Sequence, residues 1–420
     1  MIRFYNGRLL RFGETAELSG DELWVDGGRI AYVGPARADA PAFSREIDLG
    51  GDLLLPGFKN AHSHTAMTFL RSMADDMPLD RWLRELVWPN EARLTDEAVY
   101  TFTKLGIMEY VSGGVTACFD MYVHNDAFTA ACIDAGFRAV ICSGFNDFDR
   151  DVEQLERDYL HYNALHELIS FRLGVHAEYT TSEERLRFVA SLAEKYREPC
   201  FTHLSETRGE VEGCLSRYGL RPPQLLDELG LFRYGGGGFH CVHMDEDDIR
   251  LFAERGLWAV SCPGSNLKLA SGITPVYKFI ADDMKIAIGT DGAGSNNALD
   301  MFREMYLDTV LSNVETHNAA AVDPYKILKA ATTGGALCMG LADCDVLARG
   351  KQADIIMIDM NRPCMKPENN IAANLVYSGS PQIVKMTMIA GKILYENGTY
   401  TTLDIEEIYR DAAGFMDVLR

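Results

Sequence analysis

Several features are missing from this chain of 420 residues, and each absence closes a class of function. No two of its ten cysteines form a Cys-x-x-Cys pair. Neither a zinc knuckle nor a disulfide framework is therefore indicated, and most of the cysteines read as buried thiols. Positive charge is short: 40 Lys and Arg stand against 61 Asp and Glu, for a formal net charge of -21. Such a surface repels nucleic acid and anionic membrane, which points to a small-molecule partner. Long apolar runs are absent as well, and the opening Met1-Ile2-Arg3-Phe4-Tyr5-Asn6-Gly7 lacks a signal-peptide core. The expectation is a soluble cytoplasmic protein, compatible with homo-oligomer formation. No Gly-x-Gly-x-x-Gly turn follows the first strand-like run, so a doubly wound dinucleotide-binding sheet is disfavoured.

What is present has two textures. The first is short strands with tight turns. Leu23-Trp24-Val25 and the run 29–33 flank Asp26-Gly27-Gly28 as one hairpin, and the runs 385–389 and 392–395 flank Ala390-Gly391 as another. Neither end has enough strands for its own sheet. Residues 1–55 and 346–420 are therefore expected to meet in one small β-sandwich, closed by a helix over 405–419. The second texture, over 56–345, alternates apolar runs with helical ones. Strand-like runs fall at 53–55, 115–119, 138–143, 171–175, 200–203, 239–242, 257–261 and 285–288, with helical stretches at 96–111, 183–196, 245–255 and 324–331 between them. Eight such strands predict an α/β chain built on a (β/α)8 TIM barrel. The glycine run 235–238 reads as a flexible turn into the sixth strand.

Catalytic groups of such a barrel sit at the C-terminal ends of its strands. Those ends carry His62 and His64, His176, His203, His240 and Asp291. His62 and His64 are spaced i, i+2, which puts both imidazoles on one face of an extended strand. Three histidines and a carboxylate suit zinc or iron(II) with one position left open for water, so His62, His64, His203 and Asp291 are assigned as ligands. No lysine ends strand four, where a two-metal site would need a carboxylated bridge, and a single divalent ion is expected. Glu206, three residues beyond a ligand, is the candidate general acid and base, and His240 the group that orients the nucleophile. His243 reads as packed or supporting. His124, His161, His166 and His317 lie in loops or helices and are given no role.

These residues and their surroundings resemble the amidohydrolase superfamily over nearly the whole chain. The carriers are Pro56-Gly57 with His62-x-His64, His203-Leu204-Ser205-Glu206, Phe239-His240-Cys241-Val242-His243, Ser265-Asn266-Leu267-Lys268-Leu269, and Gly289-Thr290-Asp291-Gly292 leading to Ser295. Within it the chain is most similar to the 5'-methylthioadenosine/S-adenosylhomocysteine deaminases, with triazine chlorohydrolases as neighbours. The resemblance implies a metal-dependent hydrolase that deaminates an adenine nucleoside. Trp82 would pack on the nucleoside, Glu91 would bind the ribose hydroxyls, and His176 and Ser295 would contact substrate. Members that bind S-adenosylhomocysteine place an arginine at the end of strand three, where this chain has Ser143. Arg150, in the loop that follows, is the candidate to replace it, and a neutral 5' substituent is favoured. Rival readings are a guanine or pterin deaminase, an s-triazine chlorohydrolase, or a catalytically inactive scaffold. The scaffold would be expected to lack a ligand, and none is missing.

Overall fold

The barrel begins one strand later than the sequence suggests. In a computed structural model, which describes every residue except Glu14, Ala74 and Arg420 and every side chain but theirs and that of Val418, its strands are Phe58–Ser63, Val115–Asp120, Arg138–Cys142, Ile169–Ala177, Cys200–Leu204, Gly236–His240, Trp258–Ser261 and Lys285–Ile288. They pair in parallel in chain order. First and last strands meet where the Asp291 amide donates to the His62 carbonyl at 3.0 Å. The Asn60 side chain accepts from the Thr290 amide at 2.9 Å and donates to its hydroxyl at 2.7 Å.

The run expected as the first barrel strand is Leu53–Pro56, which pairs instead with Arg8–Phe12 and Ile355–Ile358 in a seven-stranded sheet. Leu54 faces the core between the two terminal sheets, while Leu53 and Leu55 face the core shared with the barrel. A strand buried on both faces reads as one apolar run whether it belongs to a barrel or a sandwich. Ile355–Ile358 follows the same rule, with Ile355 and Met357 on one side and Ile356 and Ile358 on the other. A four-stranded sheet, ordered Arg29–Gly34, Glu22–Asp26, Ile2–Tyr5, Arg45–Asp48, covers the inner face and completes the sandwich.

The glycine run is also corrected, because Gly236–His240 is itself strand six. A Cβ on Gly236, whose φ is +115°, would lie 1.8 Å from the Cys200 carbonyl oxygen, and one on Gly237 would lie 2.1 Å from that of Trp258. Both neighbouring strands approach too closely for a side chain, so glycine here serves packing rather than flexibility.

Barrel and sandwich are joined by a buried charge cluster. Arg138 grips Asp354 through two hydrogen bonds of 2.8 and 3.0 Å, and the Lys59 ammonium lies 3.8 Å from the same carboxylate. Burial alone would raise the pKa of Asp354, but Arg138 and Lys59 together hold it below the usual carboxylate range. The helix Asp96–Ser112, capped by the Thr95 hydroxyl, carries the closing helix Ile405–Leu419 on its outer side. No helix among the described residues is long and apolar enough to cross a membrane.

Candidate active site

The C-terminal ends of strands one, five, six and eight bring His62, His64, His203, His240 and Asp291 to one point. Ligand atoms of His62, His203 and His240 lie within 4.8 Å of one another, and so do those of His62, His64 and Asp291. His62 belongs to both groups, which makes them one centre. His240, expected only to orient the nucleophile, thus falls in the same cluster as the assigned ligand His203, its ring 5.4 Å from that of His62 against 4.9 Å for His203. Crowding at the strand joint explains Gly289, since a Cβ there would sit 2.6 Å from the His62 amide nitrogen.

Three of the four rings are aimed by a partner behind them. The His64 Nδ1–H donates to the Met121 carbonyl, that of His203 to the His176 carbonyl at 2.6 Å, and that of His240 to Asn266 Oδ1 at 2.8 Å. Those bonds fix the tautomer and leave the Nε2 lone pairs facing the centre. Asp291 is held likewise. Its Oδ2 accepts from the hydroxyls of Ser265 and Ser295 at 2.6 and 2.7 Å, and its Oδ1 accepts from the Gly292 amide while facing Nε2 of His64 at 3.2 Å and of His62 at 3.6 Å.

His62 carries the test of whether this donor set fits a divalent cation. It is fully buried against the Phe239 ring, and neither of its ring nitrogens has a hydrogen-bond partner. An imidazole orphaned in this way is costly unless a Lewis acid takes its lone pair. Asp291 and His64 tell the same story. Burial would lower the basicity of His64, yet the Asp291 carboxylate beside it raises its pKa to about 9. A slot that draws a proton so strongly also draws a cation, which displaces the proton on binding. The residues fit a metal ion.

Above this cluster opens a cavity of about 640 Å³, within the range of small-molecule sites. His64, His203, His240, Asp291 and Glu206 form part of its wall. The Glu206 carboxylate is buried with Oε2 3.8 Å from His240 Nε2, and burial raises its pKa above the ordinary glutamate value despite His240. Its backbone is clamped by Glu210, whose two oxygens accept the amides of Ser205 and Glu206 at 2.7 and 2.8 Å. Burial pushes Glu210 itself up to about 8.

Of the residues expected at the substrate, Trp82, Glu91 and His176 line the cavity. Trp82 and Glu91 come from the short helices Leu79–Trp82 and Trp88–Glu91. The His176 Nδ1 pairs with the Thr180 hydroxyl at 3.0 Å, and burial depresses its pKa to about 4, so the ring is neutral. Two expectations need correction. Ser295 turns its buried hydroxyl to Asp291, away from the cavity, because the turn after strand eight brings it under the carboxylate. Arg150 is exposed on the outer side of its loop and is not among the cavity residues. His243 is packed, with Nε2 on the Ser271 carbonyl at 2.9 Å. His124, given no role, lines the cavity and contacts Asp96 at 2.5 Å. Tyr122, which the sequence reading did not single out, also lines the cavity and follows strand two.

An eight-stranded barrel with a histidine and aspartate centre at its strand ends is the architecture of a metal-dependent hydrolase, and the chain belongs to the amidohydrolase family, whose pattern matches residues 53–394. A 5-methylthioadenosine/S-adenosylhomocysteine deaminase of Moorella thermoacetica is 40% identical over 393 residues, covering 92% of each chain. A 5'-deoxyadenosine deaminase of Methanopyrus kandleri is 36% identical, covering 92% of this chain and 91% of its own. Among solved structures, a zinc-bound adenosine deaminase from Xanthomonas campestris superposes with a TM-score of 0.94 at 33% identity, covering 100% of this chain and 98% of that one. Atrazine chlorohydrolase from Arthrobacter aurescens, at 21% identity and a TM-score of 0.90, shares the fold.

Proposed function

We propose that the protein hydrolyses the exocyclic C–N bond of an adenine nucleoside, releasing ammonia and the inosine analogue. The observation that carries this reading is a buried carboxyl group, Glu206, set near His240 and Asp291 in the wall of a nucleoside-sized cavity. The names of the relatives above support the same chemistry.

His62, His64, His203 and Asp291 would hold one divalent ion, zinc in the first instance and iron(II) as an alternative. Such an ion supplies Lewis acidity that brings the pKa of a coordinated water from 15.7 towards about 7. His240, with Nδ1–H given to Asn266, presents Nε2 as an acceptor that orients the attacking water through one of its O–H bonds. Glu206 takes a proton from the water and delivers it to ring N1 as the oxygen bonds to C6. Asp291 passes the second proton to the departing amine, and the C6–N bond breaks to give ammonia. The neutral His176 offers a hydrogen bond to the ring, and Trp82 offers a flat apolar wall.

The 5' substituent follows from charge. Among the residues lining the cavity are Asp149, Asp151 and Asp158 but no lysine or arginine. Ser143 stands where a carboxylate-binding arginine would be needed, and the nearby Arg185 is tied to the Asn146 and Asp149 carbonyls at 2.7 and 2.6 Å. Adenosine, 5'-deoxyadenosine and 5'-methylthioadenosine are therefore the favoured substrates, and the α-carboxylate of S-adenosylhomocysteine lacks a partner. The test is ammonia release by metal-replete protein from these four nucleosides and guanine, with chloride release from a chlorotriazine. Turnover confined to adenine nucleosides and weakest for S-adenosylhomocysteine is expected; turnover of guanine or the triazine alone overturns the reading.

A further inference from the structure

Two polar atoms in the cavity wall have no partner within the protein. Trp82 Nε1 and Tyr122 Oη are both buried, and neither meets another group in hydrogen-bond geometry. Both residues line the cavity together with Glu91, and the Trp82 side chain is only 3% exposed. Leaving a buried donor unsatisfied is costly. Orphans on the wall of a binding cavity, unlike orphans in a sealed core, can be satisfied by what binds there.

Tyr122 is the better placed of the two to select a ligand. It directly follows Met121, whose carbonyl holds the His64 ring, and its own ring lies 6.3 Å from that of His64. Backbone geometry therefore ties Tyr122 to the metal centre. Its hydroxyl is near enough to Glu91 for each to influence the other's ionisation, yet it stops short of a proper hydrogen bond. A group of a bound ligand that reaches both phenol and carboxylate would be a third partner to the pair.

That third group must suit both neighbours. An ionised carboxylate only accepts hydrogen bonds, whereas a phenol donates one and accepts another. A hydroxyl that donates to Glu91 still has lone pairs to satisfy, and Glu91 cannot serve them. A phenol O–H can. Resting on the adenine-nucleoside reading, we propose that Tyr122 is a specificity-determining residue that donates to a ribose hydroxyl whose proton goes to Glu91. Carboxylate and phenol then read one sugar hydroxyl as acceptor and donor, and a substrate lacking it strands both.

A substrate-by-variant cycle tests this. Wild type and Tyr122→Phe are compared on adenosine, 2'-deoxyadenosine and 3'-deoxyadenosine, with metal content and thermal midpoint measured for both proteins. The expected result is a loss of about 10- to 100-fold in kcat/KM for adenosine, carried by KM. That loss should largely vanish for whichever deoxy analogue lacks the contacted hydroxyl and persist for the other. Equal losses on all three substrates would mean that Tyr122 only supports the wall, and an unchanged kcat/KM for adenosine would mean that it does not touch the sugar; either overturns the assignment alone. No ammonia from adenosine, 5'-deoxyadenosine or 5'-methylthioadenosine with the metal-replete wild type overturns the nucleoside reading and this assignment with it.

Discussion

Replacing Glu206 by glutamine should separate proton transfer from every other duty of the site. The two side chains are nearly isosteric, and the backbone that carries residue 206 is fixed by Glu210 at 2.7 and 2.8 Å rather than by the Glu206 carboxylate. The ligand atoms belong to other residues, and Glu206 Oε2 comes no nearer to His240 Nε2 than 3.8 Å. Metal content and KM should therefore stay close to wild type. What is lost is the one buried carboxylate that can take a proton from water and return it to the ring, because an amide does neither. General acid–base catalysis contributes about 10²–10⁴-fold, or roughly 3–5 kcal/mol in the barrier at about 1.36 kcal/mol per decade. Steady-state ammonia release and elemental analysis on the same preparation measure both quantities. A metal-replete variant that keeps kcat within about tenfold of wild type would refute the proton-carrier assignment, and a variant that loses its metal would make Glu206 a ligand instead.

Two further predictions concern the scaffold. Asp354→Asn leaves the Arg138 and Lys59 cations together in a buried site, a change that costs about 3–5 kcal/mol and should lower the urea midpoint clearly; an unchanged midpoint would mean that the cluster does not join barrel to sandwich. Because Asp354 has a depressed folded pKa, its contribution is complete above the unfolded value of about 3.9 and fades as pH falls through the folded one, so acid destabilisation should set in below about pH 4. Asp308 has the opposite sign. Burial pushes it up to about 7, with only the Ser261 hydroxyl at 2.7 Å as compensation. A raised folded value means that stability is full below the unfolded pKa and declines as pH rises through about 7. Asp308→Asn should make the denaturation midpoint less sensitive to pH between about 5 and 8. Glu304, pushed to about 8 on the same helix, adds slope of the same sign, so the dependence is reduced rather than abolished. A wild-type midpoint that rises over that interval would contradict the assignment.

The cluster of four histidines and Asp291 was legible because its signals are local. A His-x-His pair on a strand end, and single histidines or an aspartate after apolar runs, need only the period of a strand and the rule that barrel chemistry sits at strand ends. The same rule, applied to strand two, would have found Tyr122, which stands two residues beyond Asp120. Other features depended on contacts that no local pattern carries. Leu53–Pro56 passed for a barrel strand because both of its faces are buried, and only its partners Arg8–Phe12 and Ile355–Ile358 decide which sheet it joins. Gly236 and Gly237 passed for a turn because the strands that crowd them start at Cys200 and Trp258. Ser295 points its hydroxyl at Asp291 rather than into the cavity, a distinction made by side-chain direction alone. Lys59, Arg138 and Asp354 are spread over nearly 300 residues of sequence.

The orientation of the ligands shows why such a site can change substrate without losing its chemistry. His64 is aimed by the Met121 carbonyl and His203 by the His176 carbonyl, so two ligand tautomers are set by backbone atoms of neighbouring strand ends. Met121 and His176 themselves line the cavity, and Tyr122 follows Met121 directly. One short stretch of chain thus holds the His64 ring with its main chain and, on the proposed function, would meet the substrate with its side chains. Replacing the His176 or Tyr122 side chain leaves the carbonyl in place, and with it the ligand geometry. Substitutions at these positions can therefore alter which ring or sugar is accepted while the metal centre stays intact. Asp291 behaves differently, because the hydroxyls of Ser265 and Ser295 orient it through side chains. On the proposed function, change at those two serines would reach the metal ligands directly, whereas change at Tyr122 and His176 would be confined to recognition.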